Sequence, residues 1–358
     1  MTRRNLPTPI ANTAVRPVFA LAERGVLGDS LIRLGIRRLV SRRLREQQVG
    51  GVEAQRERQR TLIAAMRASP IALHVDTANR QHYEVPAEFY AHVLGPRRKY
   101  SACLWPEGVA ELADAEEAML SLTAARAQIE DGHTILDLGC GWGAFALWAA
   151  ERFPRCRIFA LSNSQAQRAY IEAQASHLRL ADRLHVSTGD VSTFVPDQRF
   201  DRVVSIEMFE HMRNVEALLD RIAGWLTPTG KLFVHQFCHR EHAYFYETEG
   251  ADDWMGRTFF TGGMMPSDDL LLSFQRSLVL EDRWRVGGLH YQRTLEAWLG
   301  NLDRARAAVL PILGRRHDRR SSALWLQRWR LFLMACSELF AYGRGNEWYV
   351  AHYRLAPR

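Results

Sequence analysis

The spacing of apolar and polar positions changes three times along the chain. From Asp29 to Gln48, Leu31, Ile32, Leu34, Ile36, Leu39, Val40 and Leu44 recur at helical spacing with arginines between them, which predicts an amphipathic basic helix. Gly50 and Gly51 interrupt that pattern, and a second helix is expected from Val52 to Met66, stopped by Pro70. Beyond Ile129, short apolar runs alternate with helical stretches. Strands are predicted at Thr134–Leu138, Arg157–Leu161, Leu184–Thr188, Phe200–Ile206 and Lys231–Phe237, with helices at Gly143–Arg152, Ser164–His177 and Val215–Leu226 between them. This order implies an α/β fold, a doubly wound and mostly parallel sheet with its ligand at the carboxyl ends of the strands.

The regularity then lapses between His239 and Ser267, where Tyr244, Phe245, Tyr246, Asp252, Asp253, Trp254, Phe259 and Phe260 crowd together. An irregular aromatic stretch of this length above a sheet predicts an active-site cover, spanning roughly 239–275. A strand at Ser277–Val286, helices at Thr294–Leu310 and Ser321–Tyr342, and a last strand at Glu347–Leu355 complete the pattern. The chain therefore divides into a basic helical extension, residues 1–76, and a catalytic domain, residues 77–358.

Charge sharpens the division. The chain carries +7, yet fourteen arginines against five acids give the first 68 residues +9, which leaves −2 for the remainder. A nucleic-acid enzyme needs a basic stripe around its cleft, and this body is slightly acidic, so no nucleic-acid partner is expected. The basic helices could dock on the body or touch an anionic membrane surface, and both readings stay open. Cys103, Cys140, Cys156, Cys238 and Cys336 lie far apart without a Cys-x-x-Cys pair, which points to a reducing cytoplasm, no disulfide framework and no metal site.

The strongest chemical signal is Ile135-Leu136-Asp137-Leu138-Gly139-Cys140-Gly141-Trp142-Gly143, an apolar strand that ends in an acid and three alternating glycines opening a helix. The glycines let a ligand approach the backbone, and Asp137 can hold a cation or hydroxyls. NAD-type sites need Gly-x-Gly-x-x-Gly and an acid after the second strand, whereas here the second strand ends in Leu161-Ser162-Asn163-Ser164. A second cluster, Glu207, Glu210 and His211, follows the fourth strand at the same sheet edge. It supplies carboxylates to hold a cation and an imidazole to take a proton, although a helix cap and a core histidine would use the same residues.

Together with Gln81-His82-Tyr83-Glu84-Val85-Pro86, Lys99-Tyr100-Ser101, Ser205-Ile206-Glu207-Met208-Phe209-Glu210-His211-Met212 and Phe233-Val234-His235, these motifs resemble the cyclopropane-fatty-acid synthase superfamily of S-adenosylmethionine (SAM) methyltransferases. Within it the chain most resembles the coclaurine N-methyltransferase-like branch, from about Thr77 onward. The resemblance implies a Rossmann-like, seven-stranded sheet with SAM as cofactor. Tyr100 and Ser101 would meet the methionine part, Gly139 and Gly141 the backbone-facing side, Asn163 and Gln167 the ribose, and Asp190 the adenine amine. Glu210 and His211 would be the acid/base pair, with Glu207 and Glu84 orienting the amine or facing SAM. Tyr244, Trp254, Phe260, His235 and Tyr291 would line the substrate pocket.

The resemblance also carries an alternative, methylation of an unsaturated phospholipid acyl chain. That reaction needs a bicarbonate base held by a cysteine after the Tyr-Ser pair, the glutamate at Glu210, His235 and Tyr291. This chain has Ala102 in place of the cysteine, and Cys103, one place along, should point elsewhere. The expectation is a cytoplasmic enzyme acting on the nitrogen of a small amine, with a homodimer and peripheral membrane contact through the basic helices as open partners.

Overall fold

A computed structural model describes residues 12–73, 85–250, 253–315 and 319–358. Helices α1 (Asn12–Glu23), α2 (Asp29–Gln48), α3 (Gly51–Arg67), α4 (Ala87–Val93) and α5 (Leu112–Arg126) precede the sheet. Strands β1 (Thr134–Leu138), β2 (Arg157–Ser162), β3 (Leu184–Thr188), β4 (Phe200–Ile206) and β5 (Leu226–His239) alternate with α6 (Ala144–Arg152), α7 (Gln165–His177) and α8 (Val215–Trp225). Then follow β6 (Tyr244–Phe245), α9 (Trp254–Thr258), β7 (Met264–Met265), β8 (Leu278–Val286), α10 (Gly288–Arg304), α11 (Arg306–Gly314), α12 (Arg319–Ala341) and β9 (Trp348–Pro357).

Seven strands form one sheet in the order β3-β2-β1-β4-β5-β9-β8, while β6 and β7 pair separately as a short antiparallel ladder in the cover. The first five strands are parallel, and β9 runs antiparallel between β5 and β8. Strand order reverses between β1 and β4, which opens a crevice beyond their carboxyl ends. Burial on both faces explains why these strands read as nearly unbroken apolar runs.

Two predicted boundaries move. β5 starts at Leu226 rather than Lys231, because Leu226 pairs with Phe200 before a bulge restores the register at Arg202 and Lys231. The intervening Pro228 and Gly230 read as a turn in sequence, and a bulge is where a strand tolerates them. The helix expected over Thr294–Leu310 is instead α10 and α11, broken at Ala305 so that Val309, Ile312 and Leu313 join the cluster containing Trp298 and Leu302.

The basic helices lie against the body. α2 buries Ile32 and Val40 in that same cluster. Its arginines meet acids of the later chain: Arg33 donates to Glu296 (2.7 and 2.9 Å) and Glu338 (3.1 Å), Arg37 donates to Glu338 (2.9 Å), and Arg43 lies 3.6 Å from Asp253. α3 sends Leu62 and Met66 into the sheet's other apolar layer, and Arg67 pairs with Glu216 at 3.0 Å.

Candidate active site

The crevice holds a trough in two lobes, of about 60 and 90 Å³. Lys99, Tyr100, Ser101, Asp137 and Trp142 line the first lobe; Leu161, Asn163, Asp190 and His211 line the second. Gly139, Gly141, Gln167 and Glu207 line both. β1 delivers Asp137 to this place, 2% exposed, with its Oδ2 lacking a hydrogen-bond partner. Burial lifts its carboxyl to about 7, offset in part by the Ala146 amide. Gln167 is also buried; its Oε1 accepts from Ser162 Oγ (2.6 Å), while its Nε2 has no partner. Gly141 has φ +53°, and a Cβ there would project into space with no heavy atom within 4 Å. An unpaired carboxylate oxygen, an unpaired amide donor and a cradle that a side chain would fill suit a cationic, hydroxyl-bearing nucleoside. The residues fit SAM. Asp190 has its Oδ1 turned to Ser192 N (2.8 Å) and Oγ (2.6 Å), so a local turn fixes it at the second lobe.

A cavity of about 280 Å³ adjoins the trough. Its walls come from α2 (Ile36, Leu39, Val40), the cover (Tyr244, Tyr246, Trp254, Phe260), α10 (Tyr291, Trp298) and α12 (Phe332, Phe340). Sequence reasoning placed Tyr244, Trp254, Phe260 and Tyr291 here. It did not foresee the wall from α2, whose apolar stripe is in hindsight the available signal. Trp254 stacks on Phe19 and its indole N–H donates to Glu23 (2.9 Å), so α1 also fixes the cover. Arg43 sits 5.7 Å from the Tyr244 ring centroid, at the cavity's polar end.

Glu207 stands where the spaces meet, lining both trough lobes and the cavity; His211 lines one lobe and the cavity. Glu207 has φ +49°, a left-handed conformation that costs a non-glycine residue about 1–2 kcal/mol. Its carboxylate accepts from the Tyr291 hydroxyl (2.6 Å) and the Ala102 amide (2.8 Å), and lies 3.2 Å from His235 Nε2. Burial pushes its pKa up, and Lys99 with these donors opposes that push. Burial likewise lowers the His211 imidazole to about 4, with Glu207's charge opposing, so the ring is neutral at physiological pH.

Glu210 and His235 sit elsewhere than at the cavity surface. Glu210 is fully buried, its Oε1 accepts from Phe237 N (2.7 Å), and its Oε2 is unpaired. Burial and the neighbouring Glu207 charge push it well above the usual carboxylate range. His235 is buried behind Glu207. Cys103 turns away to pack with Trp105 and Ala115, and its buried thiol is pushed up to about 12. Glu84 lies outside the described residues. All five cysteines are free, and the described residues hold no cluster of His, Cys, Asp and Glu suited to a metal ion.

Residues 74–349 match the mycolic acid cyclopropane synthetase family. The chain belongs to that family. This member is a SAM-dependent methyltransferase, and its sheet is the Rossmann-like one that the motifs imply. It is 36% identical over 336 residues to (S)-coclaurine N-methyltransferase of Thalictrum flavum subsp. glaucum, covering 92% of either chain. Cyclopropane-fatty-acyl-phospholipid synthase of Escherichia coli K12 is 26% identical over 227 residues, covering 61% of this chain and 54% of that one. The crystal structure of coclaurine N-methyltransferase bound to N-methylheliamine and S-adenosylhomocysteine matches with a TM-score of 0.92 and 34% identity, covering 96% of this chain and all of that one.

Proposed function

We propose that this methyltransferase acts on the nitrogen of a small, ring-bearing amine held in the 280 Å³ aromatic cavity. The observation that carries this reading is the position of Glu207 and His211, which face both the cofactor trough and the cavity. SAM supplies an electrophilic methyl that needs no further activation. The protein must therefore align a nucleophile in line with it and keep water away. An amine arrives protonated. Aromatic faces and the Glu207 carboxylate stabilise the cation, and neutral His211 accepts its proton so that the lone pair is free. This assigns Glu207 with His211 to the amine, and gives Glu210, which the resemblance pairs with His211, a supporting position behind them.

The lipid alternative is the weaker one on this geometry. Ala102 N, His235 and Tyr291 stand where a bicarbonate base would be held, and all three meet Glu207's own carboxylate. Three of the α2 arginines that a membrane surface would need, Arg33, Arg37 and Arg43, are instead paired with Glu296, Glu338 and Asp253. Among the described residues no helix is long and apolar enough to cross a membrane. We assign α1 and α2, through Phe19, Ile36, Leu39 and Val40, to the cavity wall and the enzyme to an amine-bearing substrate.

Glu207→Gln and His211→Ala should each lower kcat toward an accepted amine by about 10²-fold or more. SAM affinity, read by calorimetric titration, should move only a few-fold. A collapse of SAM affinity with kcat preserved at saturation would refute the assignment of both groups to the amine.

A further inference from the structure

Behind Glu207 a line of hydrogen bonds runs along one face of the sheet, from the end of β4 across β5 and β9 toward β8. The antiparallel register of β5 and β9 sets His235 opposite His352, and both rings are fully buried. His235 Nε2 is 3.2 Å from Glu207 Oε1, His352 Nε2 is 2.9 Å from His235 Nδ1, and Arg126 Nη1 is 2.9 Å from His352 Nδ1. Arg126 closes the last turn of α5, half-buried, with its guanidinium 5.1 Å from the Trp284 ring centroid. It pairs with no carboxylate among the described residues, so the imidazole is its side-chain hydrogen-bond partner.

The tautomers follow from one fact: a guanidinium has donors and no acceptor. His352 Nδ1 must therefore accept from Arg126, which puts the proton of His352 on Nε2. That N–H donates to His235 Nδ1, whose proton is then on Nε2 and points at Glu207. Reversing the line would set an N–H of His352 against an N–H of Arg126. Protonating either ring would add a donor where the line has no acceptor, and burial together with the charges of Lys99 and Arg126 holds both rings neutral.

We propose that Arg126 and His352 are positioning residues for methyl transfer: through His235 they fix a third donor on Glu207, which orients its carboxylate toward the amine and keeps it ionised. This rests on the reading of Glu207 as the amine-holding group. The line ends in a group that cannot accept a proton, so it is not the exit for the proton taken from the amine. That proton leaves on the cavity side, where His211 stands. The titratable groups near Glu207 on its other sides are Lys99, Cys103, Tyr291, Glu210, His211 and Cys336, and of its other donors the Ala102 amide shares Oε1 with His235 while the Tyr291 hydroxyl meets Oε2.

The test is nitrogen NMR of full-length protein with ¹⁵N-labelled histidine, alongside kinetics. His235 and His352, assigned by single replacement, should both show the neutral Nε2–H tautomer without substrate. Arg126→Leu should shift His352 toward the Nδ1–H form and lower kcat about tenfold or more, with SAM affinity within a few-fold of the parent. Arg126→Lys should restore most of both. A second pair guards against misfolding: His352→Gln can accept from Arg126 and donate to His235, so it should keep most of the rate that His352→Leu loses. Unchanged tautomers in Arg126→Leu, or changed tautomers with unchanged kcat, would overturn the proposal. If no amine is turned over at all, the tautomers still decide the direction of the line, while the amine reading fails separately.

Discussion

At the scale of single residues, environment assigns roles that residue type leaves open. Glu207 and Glu210 are three positions apart, the first half-buried and the second fully buried, yet Glu207 has two donors and a histidine contact while Glu210 has one backbone donor and an unpaired oxygen. Asp137 has a sharper consequence. With its carboxyl lifted to about 7, it is partly protonated near neutral pH in the ligand-free protein. A cationic ligand favours the ionised form, so binding below pH 7 expels a proton. SAM affinity should be flat above about pH 7.5 and fall up to tenfold per pH unit below about pH 7. Calorimetry in two buffers of different ionisation enthalpy should show proton release on the acid side. Affinity independent of pH between about 5.5 and 8 would mean that Asp137 does not meet the cofactor's charge.

Elements determine which residues can meet. Gly141 and Gly143 stand two residues apart with positive φ, but only Gly143 has a neighbour in the way of a Cβ: Ile171 Cγ1, at 2.7 Å. Gly143→Ala should therefore cost about 2–4 kcal/mol of stability, read by denaturant unfolding. Gly141→Ala should cost only about 1 kcal/mol and weaken SAM binding at least tenfold, because its methyl enters the trough. Equal SAM affinity in Gly141→Ala would contradict the placement of the trough. The same local rules made β1 to β4 legible within a residue or two, as buried parallel strands whose apolar runs end in glycine, serine or acid. α5 escaped because its buried face carries Ala115, Glu116, Thr123 and Ala124, which give no contrast with its exposed face. Glu116 is buried there because its carboxylate accepts from the amides of Arg97 and Lys99, a tertiary partnership that no spacing announces. His352 and Arg126 were silent for the same reason: they lie 117 and 109 positions from His235, and only the β5–β9 register brings them into line.

At the scale of the whole molecule, the basic segment and the catalytic sheet share one apolar interior. Charge arithmetic isolated the first 68 residues, and ion pairing joins them to the body again through Arg33, Arg37, Arg43 and Arg67. α2 closes a cavity whose inner end carries Glu207 and His211 and whose walls are largely aromatic, a shape that suits a compact cation better than an extended acyl chain. The chemical nature of the methyl acceptor therefore separates an amine enzyme from a lipid one. The direct measurement gives the full chain methyl-labelled SAM together with a mixture of cyclic aromatic amines and vesicles of unsaturated phospholipid, and follows the label by mass spectrometry. The expected result is label on amine nitrogen, abolished in Glu207→Gln, with the acyl chains unlabelled. Label in the acyl chains, with every amine untouched, would contradict it.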